Sequence, residues 1–201
     1  MKLSACLVVR NEVQRIGECL HHLRPLVDEI VLVDQSSDDG TVEVVKASQL
    51  VDRIAVDAPH GYCEASRGLS DSLATGDWRL VIDADERLTD DFARDLRILL
   101  ESPLHGYRLF RRLYLDNVAV WEGDSHYRLF RKDRVIFLNE LHTEPQPTSL
   151  RIHTPPYIAI DHFKSTDEHA QDKARYLALL DGPKPPTKMV SVKRDLVERT
   201  Y

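Results

Sequence analysis

The apolar run from Trp78 to Ile82 ends abruptly in Asp83-Ala84-Asp85-Glu86, three carboxylates within four residues. A strand buried on both faces reads as such a run, and the residues after it emerge at the strand's carboxyl end, where open α/β sheets bind ligands. Two carboxylates one residue apart, Asp83 and Asp85, repel each other unless a cation or a hydrogen-bonding network sits between them. Magnesium and manganese take oxygen ligands and are commonly held by one or two carboxylates plus a substrate's phosphates. The segment therefore reads as a candidate nucleotide-sugar site. Taken as plain structure, it is a polar turn leading into a helix from Thr89 to Glu101, with Thr89 as the N-cap.

The segments before this run alternate between strand and helix patterns. Leu3 to Val9 is a continuous β-rich run, after which Ile16, Leu20 and Leu23 recur at helical spacing. Ile30 to Val33 is a second buried strand ending at Asp34. The polar loop from Gln35 to Gly40 comes next, and Val42, Val44 and Val45 open a helix beyond it. Val51 to Val56 is a third strand, Glu64 to Leu73 a helix, and Trp78 to Ile82 the fourth strand. Strands alternating with short helices imply a doubly wound, Rossmann-like α/β fold, a mostly parallel sheet with helices on both faces.

After Pro103 the pattern changes to a smaller mixed-strand region. Gly106 to Leu115, Tyr127 to Phe130 and Val135 to Phe137 read as strands, and Pro145, Pro147, Pro155 and Pro156 mark a loop-rich section. Tyr157 to Ile160 is a further strand. The spacing then predicts a helix from Ser165 to Leu180 with Lys173, Tyr176 and Leu180 on one face, broken by Gly182-Pro183-Lys184-Pro185-Pro186. The expected organisation is one domain over residues 1–181, with halves 1–101 and 102–181, and a charged tail over 182–201.

The 201 residues suffice for one good-sized core, and 42% hydrophobic with 30% charged residues is ordinary for a globular chain. A net charge of -6 argues against a binder of nucleic acid or anionic membrane acting through bulk charge. Peripheral membrane contact stays open. Cys6, Cys19 and Cys63 are odd in number and form no CxxC pair, which suggests neither a disulfide framework nor a zinc knuckle and fits a cytoplasmic location. The chain enters its first strand-like run too early for a signal peptide, and no apolar stretch is long enough to span a bilayer.

Four segments line up with one family. They are Val8-Val9-Arg10-Asn11-Glu12; Asp28-Glu29-Ile30-Val31-Leu32-Val33-Asp34 with Ser36-Ser37-Asp38-Asp39-Gly40-Thr41; Thr75-Gly76-Asp77-Trp78; and Asp83-Ala84-Asp85-Glu86-Arg87. In this order and spacing they resemble family 2 glycosyltransferases of the GT-A fold, and among these the small bacterial subgroup that includes lipopolysaccharide-core β-glucosyltransferases. The resemblance runs from about Lys2 to Leu180. It implies inverting transfer of a sugar from a nucleoside diphosphate donor, usually a UDP-sugar, to a saccharide, lipid-linked or protein acceptor, with manganese or magnesium as cofactor.

The first half would then bind the nucleotide. Asp34, at a strand end, can accept a hydrogen bond from base or ribose, or it can cap the loop. Asp85 is read as the direct metal ligand, with Asp83 nearer the ribose or a metal-bound water and Ala84 between them at the nucleotide. Arg67 matches an arginine of the family's Gln-Arg-Asn pattern, here Ser66-Arg67-Gly68, and its planar fork suits phosphate or carbonyl oxygens. Val9, Asn11 and Glu12 shape the nucleotide floor through their backbone, or Asn11 and Glu12 cap the first helix.

The second half would supply the base. Inversion in one displacement needs a group to take the acceptor hydroxyl's proton on the face opposite the leaving diphosphate. The family shows Arg-Leu-Phe-Arg, here Arg128-Leu129-Phe130-Arg131, and then a His-Glu pair. This chain has Leu141-His142-Thr143-Glu144, so threonine stands where glutamate is expected. Glu144 and Asp124 are the candidate bases, with Glu140 a third. On a strand His142 and Glu144 would share a face. His162 matches a late family histidine that reaches the metal or diphosphate, or it is a plain strand-end residue. Two other classes remain, a nucleotidyltransferase and a non-catalytic nucleotide-sugar binding module. The first would carry a glycine-rich phosphate loop after the first strand, and Arg10-Asn11-Glu12-Val13 has no glycine.

Overall fold

A computed structural model describes residues 1–181, apart from the side chains of 121–123, 176, 180 and 181. The expected tail over 182–201, the break at Gly182 to Pro186 and the helix face through Tyr176 and Leu180 lie outside the described residues. The elements in chain order are β1 (Leu3–Val9), α1 (Ile16–Leu23), β2 (Glu29–Asp34), α2 (Thr41–Ser48), β3 (Arg53–Val56), α3 (Glu64–Leu73), β4 (Trp78–Val81), β5 (Glu86–Leu88) and α4 (Asp90–Glu101). The second half adds β6 (Gly106–Leu115), β7 (Val118–Arg131), β8 (Val135–Ile136), β9 (Gln146–Pro147), β10 (Ile152–His153), β11 (Ala159–Lys164) and α5 (Thr166–Asp181).

Nine strands form one sheet in the order β3-β2-β1-β4-β7-β6-β11-β5, with β10 beside β6. The strands β3, β2, β1 and β4 are mutually parallel. Every residue of β1 and β2 is buried, as expected for strands covered on both faces. Alternate side chains feed two cores. Leu3, Ala5, Leu7, Leu80 and Ile82 pack with Leu20 and Leu23 of α1 and Phe92, Leu96 and Leu100 of α4. Cys6, Val8, Val31, Val33 and Val81 face the other way, towards Leu73 of α3 and the rings of Tyr127 and Phe130. The two-sided α/β architecture read from the sequence is present. The Thr89 cap is also observed, its hydroxyl accepting from Phe92 N.

Several strands depart from expectation, among them β5, β7 and β11, and the short β9 and β10 lie in the section read as loop. β7 spans 14 residues rather than Tyr127 to Phe130, because its outer part pairs with β6 in an antiparallel ladder instead of being buried as an apolar run. β5 was not foreseen, and its short run Glu86–Leu88 is held by pairing with β11. β11 begins at Ala159 and continues to Lys164, two residues later than the apolar stretch suggested, set by its register along β6. The join between halves is antiparallel, β4 to β7, and it brings β7 alongside the end of β4.

Candidate active site

A cavity of about 1160 Å³ opens at the carboxyl ends of β1 and β4 and is lined further by residues of β6, β7, β11 and the first turns of α5. Its wall includes Val9, Asn11, Glu12, Arg67, Asp83, Ala84, Asp85, His162 and Glu144, so the structure brings most of the sequence-selected residues together. Asp34 and Asp124 are not part of that wall.

The floor is built by stitching two loops. Asn11 sits at φ 57°, the left-handed region that asparagine tolerates better than most residues, which turns its side chain across to the next loop. There Asn11 Nδ2 donates to Asp38 at 2.9 Å and Asn11 Oδ1 accepts from Asp38 N at 3.0 Å, while Glu12 N donates to Thr41 Oγ1 at 2.8 Å. Neither residue caps α1 through its side chain, since Arg15 holds the N-cap position without a side-chain bond. Asp34 is 1% exposed and accepts from Ser37 N at 2.9 Å and Ser37 Oγ at 2.5 Å. Its carboxylate caps the loop through Ser37, the second of the two roles open to it, and does not line the cavity. Its neighbour Gln35 does line the cavity, with Nε2 donating to Tyr62 O and Ser66 Oγ.

The carboxylates after β4 are separated by charge partners. Asp83 accepts from Arg67 Nη2 at 3.1 Å and from Arg128 Nη2 at 3.1 Å, and the same Arg128 nitrogen reaches Glu86 at 2.9 Å. Burial alone would raise Asp83, but the Arg67 and Arg128 guanidiniums hold its carboxyl well below the usual carboxylate range. Asp85 faces the other way. His162 Nε2 stands 2.9 Å and Lys164 Nζ 3.7 Å from its Oδ2, and these partners outweigh burial to lower its pKa. Glu12 has the opposite fate. Burial, together with the charge of Asp85, pushes its pKa up to about 7 against the opposing pull of Arg15.

These partners come from far along the chain. Arg128 arrives through a bulge: Tyr107 faces Leu129 and Arg108 faces Tyr127, so Arg128 is the extra residue on β7. Bulges re-aim side chains beside active sites, and here the bulge turns an arginine inward within an otherwise apolar stretch. His162 and Lys164 end β11, and Lys164 also pairs with Asp172 on α5. Glu168 on α5 completes a capping box with Ser165 and forms an ion pair with Arg15, which fastens α5 to the loop after β1.

On the opposite wall, Glu144 Oε1 accepts from Arg108 Nη1 at 2.6 Å and its Oε2 accepts from Tyr127 N at 2.9 Å. The segment from Leu141 to Pro145 is turn and loop, with His142 at φ 60°, so the expectation that His142 and Glu144 share a strand face does not hold. Both nonetheless line the cavity. Asp124 is outside the cavity wall, its Oδ2 2.7 Å from His126 Nε2 and 3.3 Å from Arg111 Nη2. Sequence reading missed Gln35, His126 and a role for Arg128. Of these only Arg128 carried a local signal: an arginine between Tyr127 and Leu129-Phe130, all buried, must find a buried anion.

The resident ion that the resemblance implies would draw on Asp85 and His162. Among the described residues no group of three or more His, Cys, Asp or Glu side chains is arranged to hold a metal. A carboxylate and an imidazole at the cavity wall fit magnesium or manganese of the kind that takes the rest of its ligands from phosphate and water. His162 is 8% exposed, its Nε2 lies against Asp85, and its Nδ1 is buried without a hydrogen-bond partner among the described residues.

Residues 4–158 match glycosyl transferase family 2. A glycosyltransferase of Rickettsia felis is 34% identical over 129 residues, covering 64% of this chain and 44% of the relative. The lipopolysaccharide core biosynthesis glycosyltransferase LpsC of Rhizobium meliloti is 32% identical over 122 residues, 57% of this chain and 44% of that protein. The chain thus spans less than half the length of these curated relatives. Among solved structures, S. aureus TarS 1-349 in complex with UDP-GlcNAc superposes with a TM-score of 0.65 at 18% identity, over 82% of this chain and 59% of that one. The mannosyltransferase PcManGT from Pyrobaculum calidifontis, in complex with GDP-Man and Mn2+, superposes with a TM-score of 0.59 at 18% identity, over 92% of this chain and 66% of that one. These likenesses establish the GT-A fold. The match over residues 4–158 shows that the chain belongs to glycosyl transferase family 2.

Proposed function

We propose that this chain carries the donor and transfer site of an inverting glycosyltransferase, which moves a sugar from a UDP-sugar to a saccharide, lipid-linked or protein acceptor. The observation that carries the reading is the cavity at the ends of β1 and β4, where Arg67, Arg128, His162 and Lys164 gather around Asp83 and Asp85. Cations converging beside carboxylates suit a diphosphate that gains negative charge as the sugar leaves. In this reading Asp83 keeps Arg67 and Arg128 aimed at the diphosphate. Asp85 and His162 would hold a manganese or magnesium ion, which when bound supplies Lewis-acid stabilisation to the leaving diphosphate. Val9, Asn11, Glu12, Ala84 and Gln35 form the wall against which the nucleoside lies. Asp34 acts on that wall by fixing the loop through Ser37.

Acceptor and base belong to the second half, where Glu144 and Asp124 were the carboxylates expected to act. Each of Glu144's oxygens accepts one hydrogen bond, from Arg108 and from Tyr127 N, and these bonds clip its loop to β7. We read residues 1–181 as one domain because β7 joins both halves in a single sheet. No helix among the described residues is long and apolar enough to cross a membrane. The cytoplasmic location we propose rests on the free thiols of Cys6, Cys19 and Cys63.

The test is a thermal-shift panel of nucleotide sugars with and without manganese, followed by assay of nucleoside diphosphate release from those that bind. A folded-state ligand raises the melting temperature by mass action. Stabilisation by UDP-sugars that deepens with manganese, with slow release of uridine diphosphate, is expected. Binding with no turnover supports a binding module instead, and stabilisation by nucleoside triphosphates with pyrophosphate release supports a nucleotidyltransferase.

A further inference from the structure

We propose that His126, held by Asp124, is the group that takes the proton from the acceptor hydroxyl. The inference rests on the transfer reading above and assigns the proton to a residue other than the two carboxylates expected to take it. Glu144 is tied down by the Arg108 ion pair and by Tyr127 N, and Asp124 stands outside the cavity wall. His126 stands in that wall, with its side chain 31% exposed and Nε2 2.7 Å from Asp124 Oδ2.

The local fold explains the pair. Phe110 of β6 faces Ser125 and Arg112 faces residue 121, so the single residue Arg111 stands against the stretch 122–124 of β7. This irregularity brings Asp124 against Arg111, at 3.3 Å, and against His126 two positions on. Arg128 lies two further positions along the same strand, roughly 6–7 Å away, and there reaches Asp83. The imidazole therefore stands in the same cavity wall as Arg128, one of the cations assigned to the leaving diphosphate, within reach of a group bound beside it.

The charges around the ring favour the role. Burial lowers the pKa of His126, the positive Arg128 and Arg111 lower it further, and Asp124 opposes them only in part. Asp124 is itself held below the usual carboxylate range against burial, by Arg111 and by the bond to His126. At neutral pH the pair is thus carboxylate and neutral imidazole. With Asp124 accepting, Nε2 carries the ring proton and Nδ1 is left to accept another. In the transfer the acceptor oxygen forms a bond to the anomeric carbon. The bond from that carbon to the β-phosphate oxygen breaks, and its electron pair leaves with the nucleoside diphosphate. The hydroxyl proton goes to His126 Nδ1, and the imidazolium is balanced by Asp124. Asp124 is thereby a positioning residue, and His126 is the base.

The test uses the whole chain with manganese and UDP-glucose, water serving as acceptor, and tracks uridine diphosphate release from about pH 5 to about pH 9. Release should rise with pH through the titration of an imidazole and then level off. His126→Ala should lower release by about a hundredfold or more, within the range of general-base catalysis, and added imidazole should restore part of it. Asp124→Asn should move the midpoint of the pH profile downwards, because the imidazolium loses its anionic partner, a displacement that a merely structural aspartate does not cause. Should His126→Ala not fold, His126→Gln carries the same comparison. Release by the His126 variant at the wild-type rate and with the wild-type profile overturns this inference and leaves the transferase reading standing. A wild-type chain that binds UDP-glucose and releases no uridine diphosphate overturns both.

Discussion

Arg128 Nη2 stands 3.1 Å from Asp83 Oδ2, and this contact links the bulge of β7 to the end of β4. The same nitrogen reaches Glu86, a residue that is 0% exposed, so one guanidinium compensates a buried and a half-buried carboxylate. Removing one partner of a buried ion pair leaves an uncompensated charge, which typically costs about 3–5 kcal/mol. We expect Arg128→Met to lower unfolding stability in urea by about that amount, with Asp83 keeping Arg67 as its remaining partner. Arg94 on α4 pairs with Asp91 and Asp95 at the surface, and Arg94→Ala should change stability little. Equal small losses for both variants would contradict the buried-network account.

Glu12 sets a pH dependence. Its folded-state pKa is raised from an ordinary 4.5 to about 7, so the folded chain holds this proton more tightly than the unfolded chain does. The stability tied to that proton is fully present below about pH 4.5 and is lost as the pH rises to about 7. Its side chain is 25% exposed, which tempers the effect through solvent screening. Glu12→Gln should flatten this part of the stability profile and stabilise the chain above pH 7 by on the order of 1–2 kcal/mol. A profile over this window identical to that of the wild type would contradict a Glu12 pKa raised by burial and by Asp85.

Asp34 should act through its loop. Losing a cap of this kind costs about 1 kcal/mol, and the wall formed by Asn11 and Gln35 should loosen with it. Asp34→Ala is therefore expected to lower melting temperature and uridine diphosphate affinity together, read by thermal shift and calorimetry. Lost affinity with an unchanged melting temperature would instead assign Asp34 a direct contact with the nucleotide.

The nucleotide half was legible in the sequence because its strands are buried on both faces and announce themselves as apolar runs. α3 occupies the span read from periodicity, and Thr89 caps α4 as its position before an amphipathic stretch suggested. The acceptor half was not legible in the same way. The outer part of β7 gains its order from the β6 ladder, a pairing that leaves no local hydrophobic signature, and β5 is a strand only because β11 lies beside it. The site divides along the same line. Asp83 and Asp85 could be chosen because they stand directly after a buried strand. The partners that set their charge, Arg128 from β7 and His162 from β11, reach them across 45 and 77 residues of sequence, and no local pattern encodes that approach. Asp34 shows the converse: a strand-end aspartate fits a nucleotide contact and a loop cap equally well until its hydrogen bonds are seen.

In the reading we propose, the cavity at the end of β4 binds a nucleoside diphosphate with a divalent ion through Asp85. Calorimetric titration of uridine diphosphate, with and without manganese, into the wild-type chain and into Asp85→Ala tests it most directly. The wild type should bind more tightly with manganese present, and Asp85→Ala should bind with the same weakened affinity in both buffers. Full retention of the manganese effect in Asp85→Ala would contradict the assignment of the ion to Asp85, and absence of binding by the wild type in either buffer would contradict the assignment of the cavity.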